Sequence, residues 1–252
     1  MGECMMAISE YIHAFLDLFY PRACLHCNRK LNDSYERYLC ESCKREIPYV
    51  NHSCCIRCGA SLGPHITSGV KEGCAACKGK YLPFNTIISA TYYDDVMKTL
   101  IHKFKYARQK FLACLLNDIL ITNERLKEAI PDIDVIVPVP LHWLKKMLRG
   151  FNQSELLSQG IQRHFSKPIA INNLCRIKKT ASQTQLSKNQ RQINIHNAFF
   201  VNHPESFKGK KVLLVDDVLT TGVTASECSK KLKEAGAGAV HLLILATARH
   251  YD

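Results

Sequence analysis

The stretch VLLVDDVLTTGVTAS, Val212 to Ser226, decides how this chain is read. Val212 to Val215 form an unbroken apolar run, the pattern of a strand covered on both faces. Asp216 and Asp217 stand at its carboxyl end, and Thr220 to Thr224 form the turn that opens the next helix. Gly222 frees backbone amides at that helix start, and the hydroxyls of Thr220, Thr221 and Thr224 add donors, so the turn makes a nest for a phosphate. Without the Thr-Gly run, VLLVDD would be no more than a buried strand ending in a solvated acidic turn. Two carboxylates one step upstream would repel a phosphate. They suit sugar hydroxyls, or a hydrated Mg²⁺ shared with the ligand. The loop therefore reads as a pentose-phosphate site.

Strands alternate with helices around this loop. TIISATYYD from Thr86 is β-branched and alternating, whereas DVMKTLIHKFKYA and FLACLLNDILITNERLKEA have helical periodicity. DVIVPVP from Asp134 is a short strand ended by Pro138 and Pro140, and GFNQSELLSQGIQRHF is a helix. TASECSKKLKEAGA is a helix closed by Gly236 and Gly238, and AVHLLILAT is a further buried strand. The expected fold is α/β, a mainly parallel sheet flanked by helices, with its ligand site at the carboxyl ends of the strands.

Toward the amino terminus the chemistry changes. Eight of the thirteen cysteines fall into CxxC pairs: Cys24 with Cys27, Cys40 with Cys43, Cys55 with Cys58, and Cys74 with Cys77. Twelve residues separate the first two pairs and fifteen the last two, close to zinc-ribbon loop lengths. Gly59 suits the tight turn after Cys58. Sequential pairing, one with two and three with four, is favoured, while a cross-braced arrangement or a single filled site also satisfies the spacing. Cys54, beside Cys55, is a substitute ligand. A Cys4 site leaves no open position for catalysis, so the metal is expected to be structural zinc, supplying stability that the few apolar residues here cannot. The expected domains are an N-terminal helix with a zinc-ribbon-like module over 1–82 and the α/β domain over 83–252, joined by YLPFN.

The formal charge is +12, with ten Lys and Arg against Glu155 alone between Leu141 and Arg191. That concentration is a solvated basic face or a partner for a polyanion, either a phosphorylated metabolite or a nucleic-acid backbone. Glu3, Glu10 and Asp17 interrupt the apolar N-terminal stretch, which reads as an amphipathic helix rather than a signal peptide. No stable membrane insertion is expected, and the location is expected to be cytoplasmic.

VLLVDDVLTTGVT resembles the phosphoribosyl pyrophosphate (PRPP) motif of type I phosphoribosyltransferases. The order LDLFYPRACLHC, IHKFKY, VPVPLHWLKKMLRGFNQSELL, RIKKTASQTQLSKNQRQINIHNAF and then that motif is similar to the ComF family of competence-related proteins, over nearly the whole chain. The resemblance implies that Asp216 and Asp217 meet the ribose hydroxyls of PRPP, and that Thr220, Thr221, Gly222, Val223 and Thr224 wrap its 5-phosphate, with Mg²⁺ accompanying the ligand. Pro138, Val139 and Pro140 correspond to the pyrophosphate loop, with Lys145 and Arg149 as cationic partners. Arg176, Gln185 and Arg191 fall on the hood or flexible loop that covers the pocket. Lys105 and Tyr106 belong to a family signature, and Lys105 is grouped with the pyrophosphate and lid candidates. His142, Trp143 and Asn152 are read as packing or capping residues.

Three functions follow from these features. The first is a phosphoribosyltransferase with an unidentified acceptor. The second is a non-catalytic PRPP or nucleotide sensor whose cysteine module is a docking surface. The third is a factor that handles single-stranded DNA during transformation, beside competence proteins such as a helicase.

Overall fold

The computed structural model describes residues 22–31, 36–50, 54–59, 73–75, 77, 79, 81–106, 109–178, 195 and 197–248. The expected N-terminal helix, before Arg22, lies outside them. Two compact units divide the chain, one ending at Ile47 and the other starting at Pro48. The first holds the two leading cysteine pairs and a short helix, α1 (Glu41–Arg45). The second holds the two remaining pairs and the α/β domain.

In that second unit, β1 (Thr86–Tyr92) leads into α2 (Asp95–Tyr106), whose buried face is Val96, Met97, Leu100, Ile101 and Phe104. The spacing of three and four places these side chains on one stripe. The long helical segment expected next is two helices, α3 (Leu112–Ile121) and α4 (Glu124–Ala129). Asn123 makes the break: its backbone is extended and its side chain accepts the Leu126 amide at 3.1 Å, which caps a new helix instead of continuing the old one. β2 (Val135–Pro138), α5 (Trp143–Arg149) and α6 (Gln153–Phe165) follow. His142 caps α5 by accepting the Leu144 amide, and Asn152 caps α6 by accepting the Ser154 amide. A small antiparallel pair, β3 (Leu174–Arg176) and β4 (Phe199–Val201), precedes β5 (Lys211–Leu219), α7 (Val223–Glu234) and β6 (Ala239–Thr247).

The main sheet has the order β1-β6-β5-β2, and each of its pairings is parallel. Val212 and Leu214 of β5, Val240, Leu242 and Ile244 of β6, and Val135 and Val137 of β2 share one core with Cys228 and Leu232 of α7. Leu213, Val215 and Leu243 are fully buried as well, and α6 packs on β5 and β2. Burial on both faces explains the uninterrupted apolar run.

β5 continues beyond the stretch expected from VLLV. It pairs with β6 through Asp216 opposite Ile244, Val218 opposite Ala246 and Leu219 opposite Thr247, so the two aspartates lie inside the strand. Both edges of the sheet are covered. Val50 and Tyr92 amides donate to Ala90 and Pro48 carbonyls, and the Ile87 amide donates to Ile56, along the outer side of β1. The Ile136 amide of β2 donates to Pro168, and the Ala170 amide returns a bond to Ile136.

Candidate functional site

The eight CxxC cysteines form two groups, Cys24, Cys27, Cys40 and Cys43 in one and Cys55, Cys58, Cys74 and Cys77 in the other, each with its sulfurs within 4.8 Å of one another. A tetrahedral zinc with bonds of about 2.3 Å holds its sulfurs about 3.8 Å apart. The separations are 3.7 Å for Cys27 to Cys40, 3.6 Å for Cys55 to Cys77 and 3.5 Å for Cys58 to Cys74, so both groups fit that ion. This is the sequential arrangement. Although burial opposes ionisation, backbone amides of Cys40, Cys27 and His26 draw the Cys24 thiol down to about 6. The amides of Cys58, Cys74 and Arg57 likewise draw Cys55 to about 7 against its burial. Each group thus holds a thiol inclined to be a thiolate at neutral pH, the form that binds metal.

The second group is built onto the sheet. Gly59 has φ +74°, and a β-carbon there would meet Ile87 Cγ2 of β1 at 3.4 Å. Cys54 stands outside the ligand set. Its sulfur lies 2.8 Å from Arg125 Nη1 of α4, and Arg125 Nη2 donates to the Ile87 carbonyl at 3.1 Å.

At the carboxyl ends of the strands lies a cavity of about 340 Å³. Asp216 to Ala225 line its floor, Val139 to Leu141 one wall, and Tyr93 with His102, Lys105 and Tyr106 of α2 another. Gly222, at φ +72°, takes the left-handed conformation that starts α7, a position costly for any residue with a β-carbon. The first turn of α7 then brings its amides, and the positive end of the helix dipole, to this cavity.

Because side chains alternate along a strand, neighbouring aspartates leave β5 in opposite directions. Asp216 Oδ1 accepts the Ser154 hydroxyl at 3.0 Å and the Asp217 amide at 2.9 Å. Asp217 turns toward α2, where Lys105 Nζ meets its Oδ1 at 2.9 Å. Burial, and then the charge of Asp217, push the Asp216 carboxyl up to about 7. Burial works against the Lys105 ammonium, yet Asp217 and Asp216 outweigh it and hold its pKa above the ordinary lysine value.

Lys145, Arg149 and Arg176 bring three more cations to the cavity. Arg149 Nη1 donates to Gln153 Oε1 at 2.5 Å, and its guanidinium lies 5.3 Å from the Tyr106 ring centre. The Arg176 guanidinium stacks over Phe199 at 5.5 Å. Burial, followed by repulsion from Arg176 and Arg149, lowers the Lys145 pKa. Four cationic side chains against two carboxylates give the cavity the sign of an anion receptor. A divalent ion held by the protein fits the acid pair poorly. The Lys105 ammonium already stands 2.9 Å from Asp217 Oδ1, and Asp216 Oδ1 accepts two hydrogen bonds, so a second cation placed there would meet a like charge at close range.

The cavity gathers Lys105, Val139, Pro140, Lys145, Arg149, Arg176, Asp216, Asp217 and Thr220 to Thr224 of the residues expected from the sequence. Pro138 lies in β2, behind the lining. Gln185 and Arg191 fall outside the described residues. Lys146 pairs with Glu155 at 2.7 Å and is no part of the lining. Sequence reasoning missed Ser154, Gln153, Tyr93 and His102. Asn152 and Glu155 mark a helix start, but nothing local ties Ser154 to an aspartate sixty-two positions away.

Residues 15–82 match the double zinc ribbon domain, and residues 152–252 match the phosphoribosyl transferase domain. The chain is 30% identical to competence protein F of Haemophilus influenzae over 91% of this chain and 99% of that one. It is 31% identical to the DNA utilization protein YhgH of Salmonella typhi, over 90% and 98% of the two chains. Among solved structures, the allosteric regulatory enzyme of purine biosynthesis aligns at 23% identity and a TM-score of 0.35, over 55% of this chain and 25% of that one.

Proposed function

Because this chain belongs to the ComF family, which joins a zinc-ribbon module to a phosphoribosyltransferase domain, we propose that its cavity binds PRPP. One observation carries the reading: an acid pair and a glycine-started helix N-terminus open into the same cavity as four cations. The 5-phosphate sits on the amides and hydroxyls of Thr220 to Thr224. The ribose hydroxyls donate to Asp216 and Asp217. The diphosphate, with the magnesium it carries, lies along Val139 to Leu141 among Lys145, Arg149 and Arg176. Fixed cations stabilise negative charge that grows on a departing diphosphate, so the same groups that bind the ligand favour transfer of its ribosyl carbon to an acceptor.

The test is a calorimetric titration of zinc-loaded protein with magnesium PRPP, beside a double variant, Asp216→Asn with Asp217→Asn. The wild type is expected to bind and the double variant to lose binding. Absence of heat with both would overturn the reading.

The relatives named competence protein F and DNA utilization protein support a second, compatible role in DNA uptake, which would place the protein in the cytoplasm. The cationic run between Leu141 and Arg191 favours a single-stranded DNA contact there. Its signature is affinity for an oligonucleotide that falls linearly with the logarithm of salt concentration, and salt-independent or absent binding would remove it.

A further inference from the structure

The segment KFKY lies outside the PRPP motif, yet it supplies the Lys105 side chain to the cavity. Lys105 lies in the last turn of α2, a helix anchored by Leu100, Ile101 and Phe104, each fully buried, and by packing of Phe104 on Phe151 at 5.4 Å. Its ammonium meets Asp217 at 2.9 Å, with only 21% of the lysine side chain and 10% of the aspartate side chain accessible. An ion pair so enclosed is weakly screened by solvent and salt. The other carboxylate is also provided for, since Asp216 Oδ1 receives the Ser154 hydroxyl and the Asp217 amide.

We propose that Lys105 is the resident counter-cation of the acid pair, so that the ribose hydroxyls are recognised at Asp216 and Asp217 without a divalent ion. The inference rests on the reading of the cavity as a phosphoribosyl site. A carboxylate has two oxygens, and an ammonium at one leaves the other to accept from a hydroxyl. The helix anchoring Lys105 is packed before any ligand arrives, so the compensating charge is preorganised and need not be recruited. Magnesium then serves only the diphosphate. A ligand with the same sugar and 5-phosphate but no diphosphate should be indifferent to it.

Ribose 5-phosphate is that probe. Titrations use the full zinc-loaded chain in buffer stripped of divalent ions by resin, because a soluble chelator would take the zinc. Wild type is expected to bind equally with and without magnesium. Lys105→Met should bind about tenfold more weakly without magnesium and recover part of the loss when it is added, because the bared carboxylates then accept the ion. Lys105→Arg should keep the indifference. A magnesium requirement in the wild type would overturn the proposal, as would unchanged magnesium-free binding by Lys105→Met.

A ligand-free arm separates this proposal from the PRPP reading. Mn²⁺ binding to the zinc-loaded protein, followed by electron paramagnetic resonance, should show a site in Lys105→Met that is absent from the wild type and lost in Lys105→Met with Asp217→Asn. If neither sugar phosphate binds the wild type but the Mn²⁺ pattern holds, the phosphoribosyl reading falls and the counter-cation stands. A wild-type Mn²⁺ site abolished by Asp217→Asn sinks the counter-cation whatever the sugar phosphates do.

Discussion

Replacing Asp216 by Asn should make the protein more stable and less able to bind. Asp216 titrates at about 7 in the folded chain against an ordinary carboxyl value of 3.8, because burial and Asp217 both disfavour its charge. A raised carboxyl pKa means that the folded state keeps a proton the unfolded chain has released. Stability from this group is therefore greatest at acid pH, falls as pH rises between the two values, and levels off above the folded one. The free energy lost between those two pH values is about 4 kcal/mol at most. Asparagine keeps an oxygen for the Ser154 hydroxyl and the Asp217 amide but must place a new amide group, so about 2 kcal/mol is the expected net gain in mildly alkaline buffer. For a domain of this size that is a melting-temperature rise of roughly 4 to 8 °C. The assay is thermal unfolding of zinc-saturated wild type and Asp216→Asn from about pH 6 to about pH 8, with the thiolate groups common to both chains so that any contribution from them cancels in the difference. The advantage of the variant should grow by about 1.4 kcal/mol across it, most of it before pH 7. Curves that stay parallel, or a variant less stable at the alkaline end, would refute the reasoning. The same substitution should abolish PRPP binding, a trade of stability against function confined to one atom.

Gly160 in α6 packs so closely on α3 that a β-carbon would lie 2.2 Å from Asn117 Cγ. Gly160→Ala should thus cost about 2 kcal/mol in urea unfolding despite its better helix propensity, and Asn117→Ala in the same chain should recover most of it; additive losses would refute the clash. Cys58→Ser should release one zinc and raise amide hydrogen exchange in β1, because Ile56 and Gly59 contact that strand; unchanged exchange at Ile87 would show that the metal is not needed there. Arg149→Met should weaken PRPP far more than ribose 5-phosphate, about tenfold in the ratio, and equal losses for both ligands would place Arg149 away from the diphosphate.

What the sequence made legible was local. The apolar run, the acid pair and the Thr-Gly turn lie within fifteen residues, and each is decided by near neighbours, so strand, turn and helix start could be read together. CxxC spacing similarly reports short loops around a metal. Other features depend on contacts that spacing does not encode. Asn123 splits a continuous helical pattern because its side chain competes for a backbone amide. β5 runs on through two aspartates because β6 continues to pair with it. The Lys105–Asp217 and Ser154–Asp216 partnerships join segments brought together only by the packing of α2 and α6 over the strand ends. The four cysteine pairs look alike in sequence, yet the last two are part of the unit that contains the sheet.

That placement ties the solubility of the protein to metal supply. An exposed β1 would offer unpaired amides and carbonyls, beside buried Ile87, Ile88 and Ala90, as a template for another chain. The backbone of Pro48 to Val50 occupies part of that edge instead, and that of Ile56, between Cys55 and Cys58 of the second thiolate group, another part. A cell starved of zinc would thus be left with a chain whose sheet has lost the part of its guard at Ile87, and failure should appear as aggregation before it appears as an empty ligand pocket.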